Sequence, residues 1–302
     1  MPPKKRSKGS TSASADYDTI KFVSKAAADR HKKFLDTKVA IPDRGFHTSN
    51  RRITDIVADR GWENFAQQPG SSVTAVVYEF YANAYFPRDG AVYVRGKWVP
   101  ISRTIINQYY GLPDIEEDGY QSTWRMLITD EVKSAICAFD IAWKTGRNGI
   151  PVKLSSRGLD KYGKAWHQFV CARLMPVWHV SHITKDRAIL LFAIFTNKSI
   201  DVGRVIYRQI MQSVRNSTFG LYFPSLITDL CKRAEVTWEG HEIWEGPRHA
   251  IDDGVIASFK EEDDEAEDEP PREHRPISTM SVPQRWEYMD NRLDHIEEIS
   301  AI

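Results

Sequence analysis

The 302-residue sequence is poor in cysteine, with only Cys137, Cys171 and Cys231. They are odd in number, widely spaced and each set beside an apolar residue (Ile136, Val170, Leu230). That pattern predicts reduced, packed thiols and argues against a disulfide framework. Long apolar runs are missing as well. The longest, Ala188 to Phe195, falls far short of the roughly 20 residues that span a bilayer and reads as a buried helix. Gly9 to Asp16 are small and polar where a secretory signal needs an apolar stretch. Net charge is absent too, with 41 Lys and Arg against 41 Asp and Glu. These absences predict a soluble protein of the nucleus or cytoplasm with no membrane partner.

Signatures of common chemistry are equally scarce. There is no complete Gly-x-x-x-x-Gly-Lys-Ser/Thr phosphate loop, no His-Glu-x-x-His helix, no Gly-x-Ser-x-Gly elbow and no Cys-x-x-Cys pair. The nearest approach to a metal set is Cys171, His179 and His182, but its spacing matches no standard ligand pattern and Pro176 interrupts it. No metal, no cofactor and no small-molecule substrate is therefore expected. Two-metal strand transfer needs carboxylates converging from strands and a helix. Asp140, Asp160, Asp186, Asp201 and Glu235 are available but lie outside any β-rich context. Tyr288-Met289-Asp290-Asn291 lacks the second aspartate of a polymerase turn, and Asp36-Thr37-Lys38 lacks the glycine of an aspartic-protease loop.

What is present is an ordinary globular composition, 41% hydrophobic and 27% charged, distributed unevenly. Residues 1–40 carry ten basic and four acidic groups, and residues 252–302 carry five and sixteen. A neutral average of a basic head and an acidic tail indicates a modular chain. Residues 1–20 read as a disordered basic tail and 21–43 as an N-terminal helix with a connector ending at Pro42 and Gly45. Residues 44–250 form the main domain. Residues 251–280 read as an acidic disordered linker, since 261–269 hold eight Asp or Glu in nine positions before Pro270-Pro271. Residues 281–302 read as a short coiled-coil-like helix.

Within the main domain the periodicity predicts a fold that is mainly α with minor β, a multi-helix globular domain with one or two small β-hairpins. Ser49 or Asn50, Ser72, Ser102 and Thr184 are placed to cap helices, and Gly61, Pro87 and Gly111 to end them. Val92 to Val94 and Lys97 to Val99 flank Arg95-Gly96 as a two-residue hairpin, although arginine is unusual there. Gly146 to Gly158 reads as a loop or a second hairpin around Asn148-Gly149. Val202, Val205, Ile206, Ile210 and Val214 form one helical stripe, and Pro224 opens the next helix. Trp62, Trp98, Trp143 and Trp166 sit among apolar neighbours and are expected in the core.

The candidate functional residues are electrostatic or associative. Lys4, Lys5, Arg6 and Lys8 form a basic cluster that suits a nuclear import signal, a solubilising tail or an organelle transit peptide. On a helix from Leu159, Tyr162, Trp166, Phe169 and Val170 share one face, while Arg157, Lys161, Lys164 and Gln168 fall on the opposite one. Cations in line displace the counterions of a phosphate backbone, so Arg157, Lys161 and Lys164 are candidates for non-specific RNA or DNA binding. The solvated outer face of a core helix has the same pattern. Trp286, Met289, Leu293 and Ile296 alternate spacings of three and four, a stripe suited to self-association.

A succession of short motifs carries a family resemblance. Phe80-Tyr81-Ala82-Asn83 is followed by Val94-Arg95-Gly96-Lys97-Trp98-Val99, Ile105-Ile106-Asn107 and Tyr110-Gly111-Leu112-Pro113. Trp166 with Phe169, Arg173-Leu174 and Pro176, His179-Val180-Ser181, Ile200-Asp201-Val202-Gly203 and Phe223 to Cys231 come later. Over roughly residues 44–245 the chain resembles the plant transposon protein domain and is similar to the first reading frame of Athila-type Gypsy retrotransposons. The resemblance implies a non-enzymatic, Gag-like protein that self-associates and binds nucleic acid weakly, without the zinc knuckle of a full Gag. The alternatives are a diverged transposase or nuclease and a host-adopted nuclear protein-interaction module.

Overall fold

The computed structural model describes residues 16–126, 129–146, 149–216 and 219–259. In chain order the first elements are α1 (Lys25–Thr37), β1 (Phe46–His47), α2 (Arg51–Asp59), α3 (Glu63–Ala66), β2 (Ser72–Val73) and α4 (Thr74–Asn83). The hairpin β3 (Ala91–Val94) and β4 (Lys97–Pro100) follows, then α5 (Arg103–Tyr110), α6 (Gly119–Met126) and α7 (Thr129–Ile136). Next come β5 (Lys144–Thr145), β6 (Pro151–Ser155), α8 (Lys161–Arg173), β7 (His182–Thr184) and α9 (Lys185–Phe195). The last are α10 (Val202–Arg215), α11 (Pro224–Arg233), β8 (Trp244–Glu245), β9 (Ile251–Asp252) and α12 (Asp253–Ser258). The fold is mainly α with minor β.

Several starts and stops lie where the sequence places them. The side chain of Asn50 accepts from Arg52 N (3.0 Å) and that of Ser102 from Ile105 N (3.2 Å), each satisfying a helix N–H that has no partner within the helix. Gly111 closes α5 at φ 66°, and Pro224 is the first residue of α11. Two expected caps differ. Ser72 lies in β2, where its Oγ donates to Glu245 O of β8 (3.4 Å), and α4 starts after Val73 without a side-chain cap. Thr184 precedes α9 without a capping bond.

The hairpin has the predicted register, Val92 opposite Val99 and Tyr93 opposite Trp98. Arg95 and Gly96 make its turn at φ 47° and 81°. A non-glycine residue in this region is strained by about 1–2 kcal/mol. Arg95 is held there by its guanidinium, which donates to both carboxylate oxygens of buried Glu79 (2.8 and 2.8 Å) and pairs with Glu242 (2.7 Å). Strand alternation turns Val92, Val94 and Val99 inward and leaves Trp98 37% exposed. Trp98 is therefore a surface residue, whereas Trp62 and Trp166 are core and Trp143 is half-buried.

Long-range pairs complete the sheets. β1 runs parallel to β9 and β2 antiparallel to β8, and β5–β6–β7 form a three-stranded antiparallel sheet. Ile251 is buried against Phe46, so packing continues past residue 250, through β9 and α12. Ile251, Val255, Ile256 and Phe259 pack against the core, a segment too short for a local period to reveal.

α9 is buried all round from Ala188 to Ile194, among α6, α7 and α8. α4 is buried likewise between α1, α11 and β3. α10 lies against α5 at Gly203, where an added Cβ would stand 2.4 Å from Arg103 O and Asn107 Oδ1. A buried ion pair joins distant segments. Asp43 Oδ1 meets Arg173 Nη1 (3.3 Å), Asp43 Oδ2 accepts from Ser225 N (3.1 Å), and Arg173 Nη2 donates to Phe65 O (2.8 Å). This arrangement fixes the C-terminal end of α8 to α3 and α11.

Candidate nucleic-acid interface

The basic residues around α8 are presented by three consecutive elements. In β6, Leu154 points into the core, so its neighbour Lys153 faces outward. Lys153 stands directly opposite Lys144 of β5. Like charges opposed across antiparallel strands repel, so the two lysines are an unfavourable cross-strand pair. β6 leads into a single 3-10 turn, Ser156–Gly158, that carries exposed Arg157.

That turn is held from both sides. Ser156 N and Oγ both donate to Ser181 O (3.0 and 3.0 Å), and Gly158 O accepts from Ala138 N (2.8 Å). A Cβ at Gly158 would lie 2.4 Å from Ile141 Cδ1, so a larger residue there requires the Ile141 side chain to move. Arg157 therefore projects from a fixed support.

Asp160 then caps α8, accepting from Gly163 N at 2.6 Å. Lys161 and Lys164 occupy the first helical turn, where the helix dipole already contributes positive potential. The Lys161 Nζ is 5.4 Å from the centroid of the Tyr162 ring, and the Arg52 guanidinium of α2 lies 4.0 Å over that ring. Arg52 also pairs with Asp160 (3.2 Å), and Asn50 Nδ2 donates to Tyr162 Oη (3.3 Å). Below the surface, burial pushes His167 down to about 3, and its Nε2 lies 3.3 Å from Cys171 Sγ.

The sequence-derived stripe is thus partly redrawn. Lys161 and Lys164 are on α8. Arg157 is not, because Leu159 is extended and breaks the helical phase. Gln168 leaves the set, its Oε1 accepting from Arg44 Nη1 (2.5 Å). Arg52, which lies over Tyr162, and the cross-strand pair of Lys144 and Lys153 in the sheet that precedes α8 were missed. The alternation around Gly149 held the signal for the two lysines, since it sets the register opposing them. Lys4, Lys5, Arg6, Lys8, Trp286, Met289, Leu293 and Ile296 lie outside the described residues.

The spacing Gly158-x4-Gly163-Lys164 comes within one residue of a phosphate loop, with Ala165 at the hydroxyl position. Its chemistry differs, because the Gly163 N–H is satisfied by the chain's own Asp160. The candidate carboxylates each have partners. Asp140 pairs with Lys133, Asp160 with Arg52, and Glu235 with Lys97. Asp186 accepts from Trp124 Nε1 (2.6 Å), and buried Asp201 is held by Arg103 and Arg204.

A family model described as "Putative plant retrotransposon-related domain" matches residues 58–237, a span that includes β5, β6 and α8. No curated protein and no solved structure matches the chain.

Proposed function

Because the chain belongs to the plant retrotransposon-related domain family, and is thus a transposable-element-derived protein, we propose that it is a Gag-like structural protein that binds nucleic acid along β5, β6 and α8. It carries out no catalysis of its own in this reading. The observation that supports it is the succession Lys144, Lys153, Arg157, Lys161 and Lys164, joined by Arg52, on one sheet face and the helix that follows it. Tyr162, partly covered by Arg52, adds an aromatic surface beside the cations. The Gag-like part follows the resemblance to Athila-type first frames. Self-association belongs to Trp286, Met289, Leu293 and Ile296, and nuclear import to Lys4, Lys5, Arg6 and Lys8.

Fluorescence anisotropy of the full chain with a single-stranded RNA oligonucleotide tests the binding. Six phosphate contacts give a slope of log affinity against log salt of about −4, or roughly a 250-fold loss between 50 and 200 mM salt. Replacing Arg157, Lys161 and Lys164 together by glutamate is expected to flatten that slope by about 2. An affinity that ignores salt, or that survives the triple change, defeats the reading. Sizing of the full chain with Leu293→Glu and Ile296→Glu tests self-association, which is expected to be lost.

A further inference from the structure

Two tryptophans between α11 and β9 stand against each other near the surface. Trp238 is half-buried, and Trp244 of β8 is 50% exposed. Their ring centroids are 5.8 Å apart and the ring planes meet at 74°, so the indoles form two walls of a corner. The chain around them is anchored. Trp244 pairs with Val73, and Thr74 N donates to Ile243 O (3.1 Å). Between the tryptophans, Glu242 N donates to Glu239 O (3.1 Å), while Arg95 holds the Glu242 carboxylate (2.7 Å) and donates to Thr237 O (3.3 Å). The walls therefore need no rearrangement to receive a ligand.

Two further observations define what the corner suits. The indole face attracts a cation more strongly than any other side-chain ring, out to about 6 Å from its centroid. Arg88 lies over Trp98 in this way, and Arg248 over Trp178. Among the described residues no cation lies over Trp238 or Trp244. The charge around them is also of one sign. Residues 234–247 contain Glu235, Glu239, Glu242 and Glu245 and neither lysine nor arginine. Arg95 neutralises Glu242, and Lys97 pairs with Glu235 (3.3 Å). Among the described residues, Glu239 meets only the exposed His241 (3.2 Å), and Glu245 has no ion-pair partner. These two glutamates each follow a tryptophan directly. Their charge acts within a Debye length of about 8–10 Å, which repels phosphate and attracts an amine. Ile243, 69% exposed beside Trp244, extends the apolar surface beyond the reach of one side chain, which suits a peptide better than a free amine.

We propose that the Trp238–Trp244 corner binds a lysine side chain of a peptide partner, its ammonium against the indole faces and Glu239 and Glu245 supplying the counter-charge. The proposal does not rest on the nucleic-acid reading of α8.

Fluorine NMR of the full chain, with its nine tryptophans ring-fluorinated, tests this residue by residue. Trp238→Phe and Trp244→Phe identify the two resonances. A capped tetralysine peptide is expected to shift both saturably, and the same peptide with every lysine acetylated to shift neither. Trp244→Leu, read at the Trp238 resonance, is expected to weaken binding by about two- to fivefold, the loss of one exposed contact between a cation and a ring. Glu239→Gln combined with Glu245→Gln leaves both rings in place and is expected to weaken it at least twofold. Trp98→Leu is expected to leave it unchanged. Resonances that stay fixed, that move equally with the acetylated peptide, or that move with single-stranded RNA instead overturn the proposal. So does an affinity that survives both the Trp244 and the glutamate changes. Capped lysine alone binding as tightly as the peptide overturns the assignment of a peptide.

Discussion

Asp43→Ala offers a sharp perturbation of the scaffold that holds α8. Asp43 and Arg173 are 1% and 2% exposed, and their ion pair lies inside the protein. Removing the carboxylate leaves a buried guanidinium with the Phe65 carbonyl and the faces of Phe65 and Tyr110, whose centroids are 5.1 and 5.3 Å away. Those contacts compensate only in part. Breaking a buried pair from one side costs about 3–5 kcal/mol, a third or more of the stability of a typical domain. With an m-value of about 3 kcal/mol per molar urea, the midpoint drops by roughly 1–1.7 M. Urea titration followed by tryptophan fluorescence measures this directly. Asp43→Ala combined with Arg173→Leu buries neither charge, so the double variant is expected to be more stable than the sum of the single losses predicts by about 2 kcal/mol or more. A loss below about 1 kcal/mol for Asp43→Ala, or strict additivity of the two changes, refutes the reasoning.

Burial holds the folded His167 near 3, while the unfolded chain titrates near 6.5. Between those values the unfolded state binds more protons, so stability is highest above pH 6.5 and declines as pH falls toward 3. Between pH 7 and 4.5 the decline attributable to His167 is about 2–3 kcal/mol, and comparison with His167→Leu in urea melts at both pH values is expected to isolate it. Gly203→Ala places a methyl 2.4 Å from the Arg103 carbonyl, at an expected cost of about 1–3 kcal/mol. Gly240→Ala, which meets open space at an ordinary φ, is expected to stay within about 0.5 kcal/mol of the parent. Arg95→Ala strips buried Glu79 of its closest cation and is expected to cost about 3 kcal/mol. Arg95→Gly loses the same pair but relieves the positive φ, so it is expected to be the more stable of the two by about 1 kcal/mol; the reverse order in thermal melts contradicts the role given to the arginine.

Local signals in the sequence located most of the helices and the β3–β4 hairpin, because caps, breakers and turns act over three or four residues. The same signals failed at Ser72, whose competing partner is Glu245, 173 residues along the chain. They failed again at Trp98, since a hairpin with one face in the core places alternate residues in solvent. For the basic surface, helical phase found Lys161 and Lys164. It misplaced Arg157, because two extended residues, Leu159 and Asp160, interrupt the rotation on which the extrapolation depends.

The amino-acid sequence alone determined the helical character, the hairpin turn, the charge segregation and the family, since each resides in residue type and short-range order. Tertiary structure decided which cations flank Tyr162 and that packing continues past residue 250. Those outcomes depend on contacts between distant segments, the β1–β9 closure among them, and pairing between Phe46 and Ile251 leaves no trace in the local pattern of either strand.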